Sequence, residues 1–216
     1  DLFLKQGYAA TGVAQILKAA DANSGSLHHY FPTKEDLLLA VLEWYRENLW
    51  NAVLEPVWQR VSDPVERIFG VLDGYRQMLA FTDCGMGCPI GNLALEVSDA
   101  LPAARTLIAQ NFTNWRDAAR FALEDARDRF PDDVDFEQLA TFVLTTMEGG
   151  VMLSRAYRSI EPFDAAVTQL RDYFDRLLAD GTQWDRPREK PTARSETRKT
   201  KRGTTKRSAA RPRRTR

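Results

Sequence analysis

Two cysteines, Cys84 and Cys88, are the residues of this 216-residue chain best suited to covalent chemistry. Cys88 directly precedes Pro89, and because proline is favoured at the first position of a helix, the Cys88 thiol is expected at a helix N-cap. The partial positive charge at that end of a helix lowers the pKa of a thiol. Cys84 lies four residues away across a glycine-rich loop, so oxidation could join the pair in a disulfide. The pattern predicts a thiol sensor, and the competing interpretation is two small, buried hydrophobic residues.

Metal and enzyme chemistry find little support in the remaining residue types. The two histidines, His28 and His29, are adjacent and point in different directions on a helix, and a zinc site built on two cysteines needs further ligands. We therefore expect no metal and no cofactor. The chain has no Gly-x-Ser-x-Gly, His-Glu-x-x-His or phosphate-binding motif, which makes an enzyme the least favoured class.

The composition indicates that helices position these residues. The chain has 26 Ala and 23 Leu but only 12 Val and 5 Ile. Ala and Leu favour helices, whereas β-branched residues such as Val and Ile favour strands. We predict an all-α fold. The longest apolar run, Leu37–Leu42, is far shorter than the roughly 20 residues that a membrane helix needs, so no membrane partner is expected.

Capping residues, glycines and prolines divide the chain into a series of helices. Gly7 is expected to end a first helix, and Thr11 to cap a short second one. Thr33 and Asp36 form a Thr-x-x-Asp capping pattern, which predicts the start of a long helix that ends before Pro56. Further helices are expected over about 63–81, 89–98, 102–127, 136–158 and 162–178.

The segment 11–31 has the pattern of two short helices joined by a tight turn at residues 21–23. Apolar residues hold the second helix against the first, whereas small and polar residues remain on its outer face. Small residues let a helix enter the DNA major groove, which is about 12 Å wide. The pattern predicts a helix-turn-helix whose outer face carries Ser24, Gly25, Ser26 and His28, and an ordinary helical hairpin is the alternative.

Lys34 favours the DNA-binding interpretation. A cation in the first turn of a helix opposes the helix dipole, which favours anions there. The arrangement is explained if a DNA phosphate lies between Lys34 and the free backbone N–H groups of that turn. A solvated lysine offset by Glu35 and Asp36 is the alternative.

These residues resemble the TetR/AcrR family of bacterial transcriptional regulators. The resemblance is carried by Asp1-Leu2-Phe3, Gly7-Tyr8, Thr11, Val13, Ile16, Ala19-Ala20 and the run Ser26-Leu27-His28-His29-Tyr30-Phe31-Pro32-Thr33-Lys34-Glu35. It implies a homodimer that binds a palindromic double-stranded DNA operator as a repressor and is released by a small-molecule effector. It also implies an N-terminally truncated chain, with a helix-turn-helix domain over 1–48 whose first helix is incomplete.

The resemblance assigns roles to individual residues. It implies that Thr11 and Lys34 hold phosphates, that Tyr30 lies near the DNA backbone, and that the groove is faced by Ser24, Ser26, His28 and His29. The chain departs from the family at three positions: Asp21, Ser24 and His28 stand where the family has glycine, lysine and tyrosine. These departures leave the operator sequence open.

The remainder is expected to form a helical ligand-binding and dimerisation domain over 49–182. Its Gly-Cys-Pro-Ile-Gly-Asn-Leu segment resembles one TetR subgroup, and some members of that broader group sense oxidants or electrophiles through a cysteine there. The family implies a pocket between helices, for which we predict Met78, Trp115, Phe142 and Met147, with core packing as the alternative. The last two long helices are expected to form the dimer, with intramolecular core as the alternative for each residue: Phe142, Met147, Gly149, Gly150, Leu153, Tyr157, Leu170 and Phe174.

The formal net charge of zero conceals two opposite parts. Residues 186–216 hold 14 Lys and Arg against two acidic residues, a net charge of +12, so residues 1–185 carry −12. We predict a disordered basic tail over 183–216. Three interpretations of this tail stay open: a solvated segment with no specific role, a non-specific contact to DNA phosphates, and association with the acidic body of the chain.

Two functions remain open. The first is a cytoplasmic repressor that is released from its operator by a small ligand or by cysteine modification. The second is a dimeric ligand- and redox-sensing module that binds DNA only non-specifically through its tail. DNA affinity that comes from the tail should fall steeply as salt concentration rises and should show little sequence preference.

Overall fold

Ten α-helices lie in residues 1–179, which are the residues that this computed structural model describes. The all-α prediction is confirmed, and this part of the chain contains no β-strand. None of its helices is long and apolar enough to cross a membrane. The predicted tail lies outside the described residues. The helices are α1 (Leu2–Gln6), α2 (Val13–Ala20), α3 (Ser24–Tyr30), α4 (Lys34–Leu49), α5 (Glu55–Arg60), α6 (Pro64–Phe81), α7 (Pro89–Val97), α8 (Pro102–Asp125), α9 (Phe136–Tyr157) and α10 (Glu161–Ala179).

Several helices begin and end where the sequence predicts. Gly7 follows α1 with a φ of 85°, a positive value that glycine adopts without strain. Thr33 and Asp36 form a capping box at the start of α4, in which each side chain accepts a backbone N–H of the other residue. Asp63 is the N-cap of α6, where its carboxylate accepts the N–H groups of Val65 and Glu66.

Two predicted boundaries are wrong. Gly12 rather than Thr11 is the N-cap of α2, and the Gln15 side chain accepts the Gly12 N–H. The long helix does not end before Pro56: a π-helical turn over Trp50–Leu54 follows α4 and leads directly into α5. Pro56 is tolerated because it lies in the first turn of α5, where a backbone N–H is not required.

The core lies among α4, α6, α8, α9 and α10. Helix α9 packs along both α8 and α10, while α4 packs on α8. Phe163 and Phe174 of α10 are fully buried, and Phe174 meets Phe69 of α6 edge-to-face with the ring centroids 5.4 Å apart. Gly150 lets α9 approach α10 closely, since a Cβ there would lie 2.9 Å from the Phe163 ring.

This packing divides the residues predicted for the dimer face. Four belong to the intramolecular core, contrary to the prediction, because α9 and α10 first bury their facing stripes against each other: Met147, Gly150, Leu170 and Phe174. Three remain exposed on the outer face of α9: Phe142, Leu153 and Tyr157.

Candidate functional site

A short turn over residues 21–23 joins α2 and α3, as the helix-turn-helix prediction requires. Asp21 ends α2 in the left-handed conformation with a φ of 48°, so aspartate fills the role of the expected glycine in the turn. Asn23 caps α3, because its side-chain oxygen accepts the backbone N–H of Ser26 at 2.8 Å. The turn therefore fixes where α3 begins.

The outer face of α3 is open to solvent. All six residues predicted there are exposed: Ser24, Gly25, Ser26, His28, His29 and Tyr30. The His29 and Tyr30 rings meet edge-to-face with centroids 4.9 Å apart, and His28 Nδ1 lies 3.2 Å from the Pro32 carbonyl oxygen. The helix contains no buried residue, so its side chains are available to a partner.

The two residues predicted to hold phosphates differ in placement. Thr11 is fully buried, and its hydroxyl donates to the Gly7 carbonyl while accepting from the Gln6 amide. Its predicted phosphate contact is therefore not supported, since the hydroxyl is already used inside the chain. Lys34 lies at the start of α4 with its Nζ 4.2 Å from the centroid of the Tyr8 ring.

The start of α4 is less open to an anion than the sequence suggested. The Asp36 carboxylate accepts both the backbone N–H and the hydroxyl of Thr33, at 2.9 and 2.7 Å. The Thr33 hydroxyl oxygen in turn accepts the Asp36 N–H. These bonds use only part of the N-terminal donor set, so the predicted phosphate contact at Lys34 stays a prediction.

A second candidate site is a cavity of about 720 Å³ between α1, α4, the π-helical turn, α5, α6, α8 and the start of α7 with the loop before it. Aromatic and aliphatic side chains dominate its wall, among them Trp44, Tyr45 and Tyr75. Met78 and Trp115 line the cavity as predicted, and so does Cys88. Tyr75 and Trp115 meet edge-to-face with ring centroids 5.5 Å apart.

Three other residues predicted for this site lie elsewhere. Met147 is buried in the main core, and Phe142 is exposed on α9 with its ring 5.6 Å from that of Tyr173. Cys84 is buried, its N–H donates to the Leu79 carbonyl, and it does not line the cavity. The helical spacing of these apolar residues does not distinguish a core position from a cavity wall.

The surroundings of Cys88 reverse the predicted direction of its pKa. Cys88 is the N-cap of α7, as predicted, and its sulfur accepts the Gly91 N–H at 3.4 Å. Burial is nevertheless the larger influence and raises the thiol pKa, and the facing carboxylate of Glu148 raises it further. The prediction of a lowered thiol pKa is wrong. Both cysteines are free thiols in the structure.

Glu148 and Tyr75 complete a buried polar cluster with Cys88 that the sequence did not reveal. The pKa of Glu148 is raised by burial, against the lowering effect of a hydrogen bond from Cys88, and its Oε1 has no hydrogen-bond partner. Burial is the main cause that raises the pKa of the Tyr75 hydroxyl, and the neighbouring Cys88 and Glu148 raise it further. Glu148 lies 60 residues beyond Cys88 on α9, so no local signal joins them.

Family models match both parts of this architecture. Residues 1–41 match the model described as bacterial regulatory proteins of the tetR family. Residues 64–169 match the model for the C-terminal domain of LmrA/YxaF-like transcriptional regulators. The first match includes α2 and α3, and the second includes the cavity residues of α6 and α8.

Known proteins agree with these models. The chain is 32% identical over 161 residues to the uncharacterised HTH-type transcriptional regulator YxaF of Bacillus subtilis, covering 74% of this chain and 83% of the relative. It is 26% identical over 179 residues to the HTH-type transcriptional repressor DhaR of a Mycobacterium species, covering 82% and 87%. The crystal structure of a regulatory protein TetR from Rhodobacter sphaeroides superposes with a TM-score of 0.72 at 25% identity, covering 80% and 92%. This chain belongs to the TetR family of transcriptional regulators and, like its relatives, is not an enzyme.

Proposed function

We propose that this protein is a sequence-specific DNA-binding repressor that a small effector releases from a palindromic operator. One observation carries the proposal: α4 begins with Lys34 beside the exposed recognition helix, and ten residues later the same helix lines the cavity at Trp44 and Tyr45. A ligand in the cavity that moves α4 therefore also moves the N-terminal end of α4, where Lys34 lies. The effector acts by favouring the conformation that it binds more tightly.

The cavity wall indicates the effector's chemistry. Its ionisable groups other than tyrosine and thiol are the side chains of Asp1 and Arg60, and most of the wall is apolar. A charged ligand would lose hydration there without sufficient compensation. We infer a largely apolar, uncharged effector, with the Tyr75 hydroxyl as a polar contact.

Effector occupation has more support than thiol oxidation as the release mechanism. The thiolate is the reactive form of cysteine, and the pKa of Cys88 is raised, so little thiolate forms at neutral pH. Modification of Cys88 stays a prediction. Its test is whether oxidant still releases DNA from the Cys88→Ser protein.

Dimerisation is proposed through the outer face of α9. Phe142, Gly149 and Leu153 recur at helical spacing, and Phe142 and Leu153 are large apolar residues left exposed. Burying this stripe, together with the exposed Tyr173 of α10 beside Phe142, against its copy would form an interface of two helices from each subunit. A dimer of this kind would place two copies of α3 on successive major grooves of an operator, in the cytoplasm.

A gel-shift assay tests DNA binding directly. The full chain is mixed with the DNA flanking its own gene and with random DNA of equal length, in the presence of excess non-specific competitor. We expect binding to the flanking fragment that survives the competitor. Binding that competitor removes equally from both fragments would overturn the repressor proposal and favour the basic-tail alternative.

Effector release is tested by screening uncharged apolar compounds. Trp44 and Trp115 line the cavity, so an occupant should change tryptophan fluorescence. We expect the compounds that change fluorescence also to release the flanking fragment. If compounds bind in the cavity without changing DNA affinity, the cavity is not the effector site.

A further inference from the structure

Glu96, near the end of α7, holds the loop between α1 and α2. Its two carboxylate oxygens accept successive backbone N–H groups, from Tyr8 at 2.7 Å and from Ala9 at 2.6 Å. Gly7 makes this approach feasible, because a Cβ there would lie 2.8 Å from Glu96 Oε2. The contact joins residues 87 and 88 positions apart in sequence.

The loop that Glu96 binds contains Tyr8, which contacts Lys34 at the start of α4. The Tyr8 N–H is bound by Glu96, while the Tyr8 ring lies beneath the Lys34 ammonium at 4.2 Å. A cation above an aromatic face is attracted to it, so the ring fixes where the flexible lysine side chain stands. Glu96 thus influences Lys34 through one intervening residue.

The opposite end of α7 belongs to the effector cavity. Cys88, Pro89 and Ile90 line the cavity, whereas Glu96 is two turns further along the same short helix. A nine-residue helix moves as one body, so a displacement at its first turn also displaces the Glu96 carboxylate.

We propose that Glu96 is a positioning residue for DNA binding: it fixes Tyr8, and through Tyr8 the Lys34 ammonium, for contact with a DNA phosphate. The inference rests on the proposed repressor function. It adds a second connection between cavity and DNA, through α7 and the α1–α2 loop, that does not depend on α4 moving.

The direction in which DNA affinity changes when Glu96 is substituted distinguishes the positioning role from a purely electrostatic effect of its charge. Glu96 is an exposed negative charge near the DNA-facing helices, so its removal by itself should strengthen DNA binding. The positioning role predicts the opposite result. Glu96→Asp is informative as well, because it keeps the charge but shortens the reach to the two N–H groups.

The experiment measures the affinity of the full chain for a DNA fragment selected by the wild-type protein from random sequence, across a range of salt concentrations. Glu96→Gln and Glu96→Asp are compared with Asp99→Asn, an exposed acidic residue three positions away. The double variant Glu96→Gln/Lys34→Ala is compared with each single variant. Thermal unfolding of each protein shows whether the fold is retained.

We expect both Glu96 variants to bind about three- to tenfold more weakly, with a salt slope reduced by about 0.9, the value for one lost phosphate contact. Lys34→Ala should show the same reduced salt slope as the Glu96 variants. The double variant should show no further reduction in affinity or in salt slope. Asp99→Asn should bind as tightly as wild type or more tightly.

Unchanged or tighter binding by Glu96→Asp, in a folded protein, would overturn the positioning role. Fully additive effects of Glu96→Gln and Lys34→Ala would also overturn it, because independent residues lose affinity independently. Failure of the wild-type chain to select any DNA sequence would instead contradict the proposed function itself.

Discussion

At the scale of single residues, Cys88 shows what local sequence predicts and what it does not. The Cys-Pro pair correctly places the thiol at the N-cap of α7. The direction of its pKa depends instead on burial and on Glu148, which tertiary packing brings in from α9. A helix N-terminus favours the thiolate only modestly, whereas removal from water and a facing carboxylate both oppose it. The position was therefore predictable and its chemistry was not.

Glu148→Gln should change how stability depends on pH. The folded chain holds the Glu148 proton more tightly than the unfolded chain, because burial raises the carboxyl pKa above its ordinary value of 4.5. The stabilising contribution is complete below that value and is lost as pH rises through the raised pKa. We expect Glu148→Gln to gain stability relative to wild type as pH rises.

Urea unfolding of both proteins between pH 4 and pH 8, at constant ionic strength, provides the measurement. Glu137→Gln is the control, because Glu137 is an exposed residue of the same helix. A stability difference between Glu148→Gln and wild type that stays constant with pH would show that the carboxyl group titrates normally.

At the scale of helices, prolines and caps predicted most boundaries, because these signals act within one turn. The starts of α6, α7 and α8 at Pro64, Pro89 and Pro102 agree with the sequence. The π-helical turn over Trp50–Leu54 has no such signal. Two of its residues, Ala52 and Val53, line the cavity, and π-helical turns occur frequently at functional sites.

The α9–α10 contact should be sensitive to one methyl group. Gly150→Ala places a Cβ 2.9 Å from the Phe163 ring and 3.3 Å from its backbone Cα, so the helices must separate. We expect a loss of about 1–3 kcal/mol in the free energy of unfolding. Gly74→Ala is the matched control, because a Cβ at this position of α6 meets nothing within 4 Å. This substitution should raise the free energy of unfolding by at most about 1 kcal/mol, since alanine favours a helix more than glycine does. Equal effects of the two substitutions in urea unfolding would show that Gly150 is not packed as described.

The outer face of α9 should determine the oligomeric state. Leu153→Glu puts a charge into the proposed interface, where it would be buried without a partner. We expect sedimentation analysis to show a dimer for wild type and a monomer for the variant. Leu95→Glu, on the exposed surface of α7, is the control and should remain dimeric. A dimeric Leu153→Glu protein would place the interface elsewhere.

At the scale of the whole molecule, the distribution of charge raises a question about DNA binding. Residues 1–48 contain four Lys and Arg but six acidic residues, and one of those cations, Arg46, pairs with Glu43 at 2.6 Å. The exposed α3 has no Lys or Arg. The family and the fold were predictable from motif and composition, yet the predicted DNA-binding domain has little positive charge of its own to neutralise phosphates.

Residues 186–216, with a net charge of +12, are therefore expected to supply much of the phosphate neutralisation. The test changes Arg198, Lys199, Lys201 and Arg202 to Gln in the full chain. Each lost phosphate contact reduces the slope of log affinity against log salt by about 0.9, so the slope should fall by up to about 3.6. Sequence preference should persist, because phosphate contacts carry no base information.

The matched control changes Thr197, Thr200, Thr204 and Thr205 to Gln and leaves the charge intact. An equal slope in both variants would mean that the four cations do not contact DNA, and that phosphate neutralisation depends on Lys34 and the other cations elsewhere in the chain.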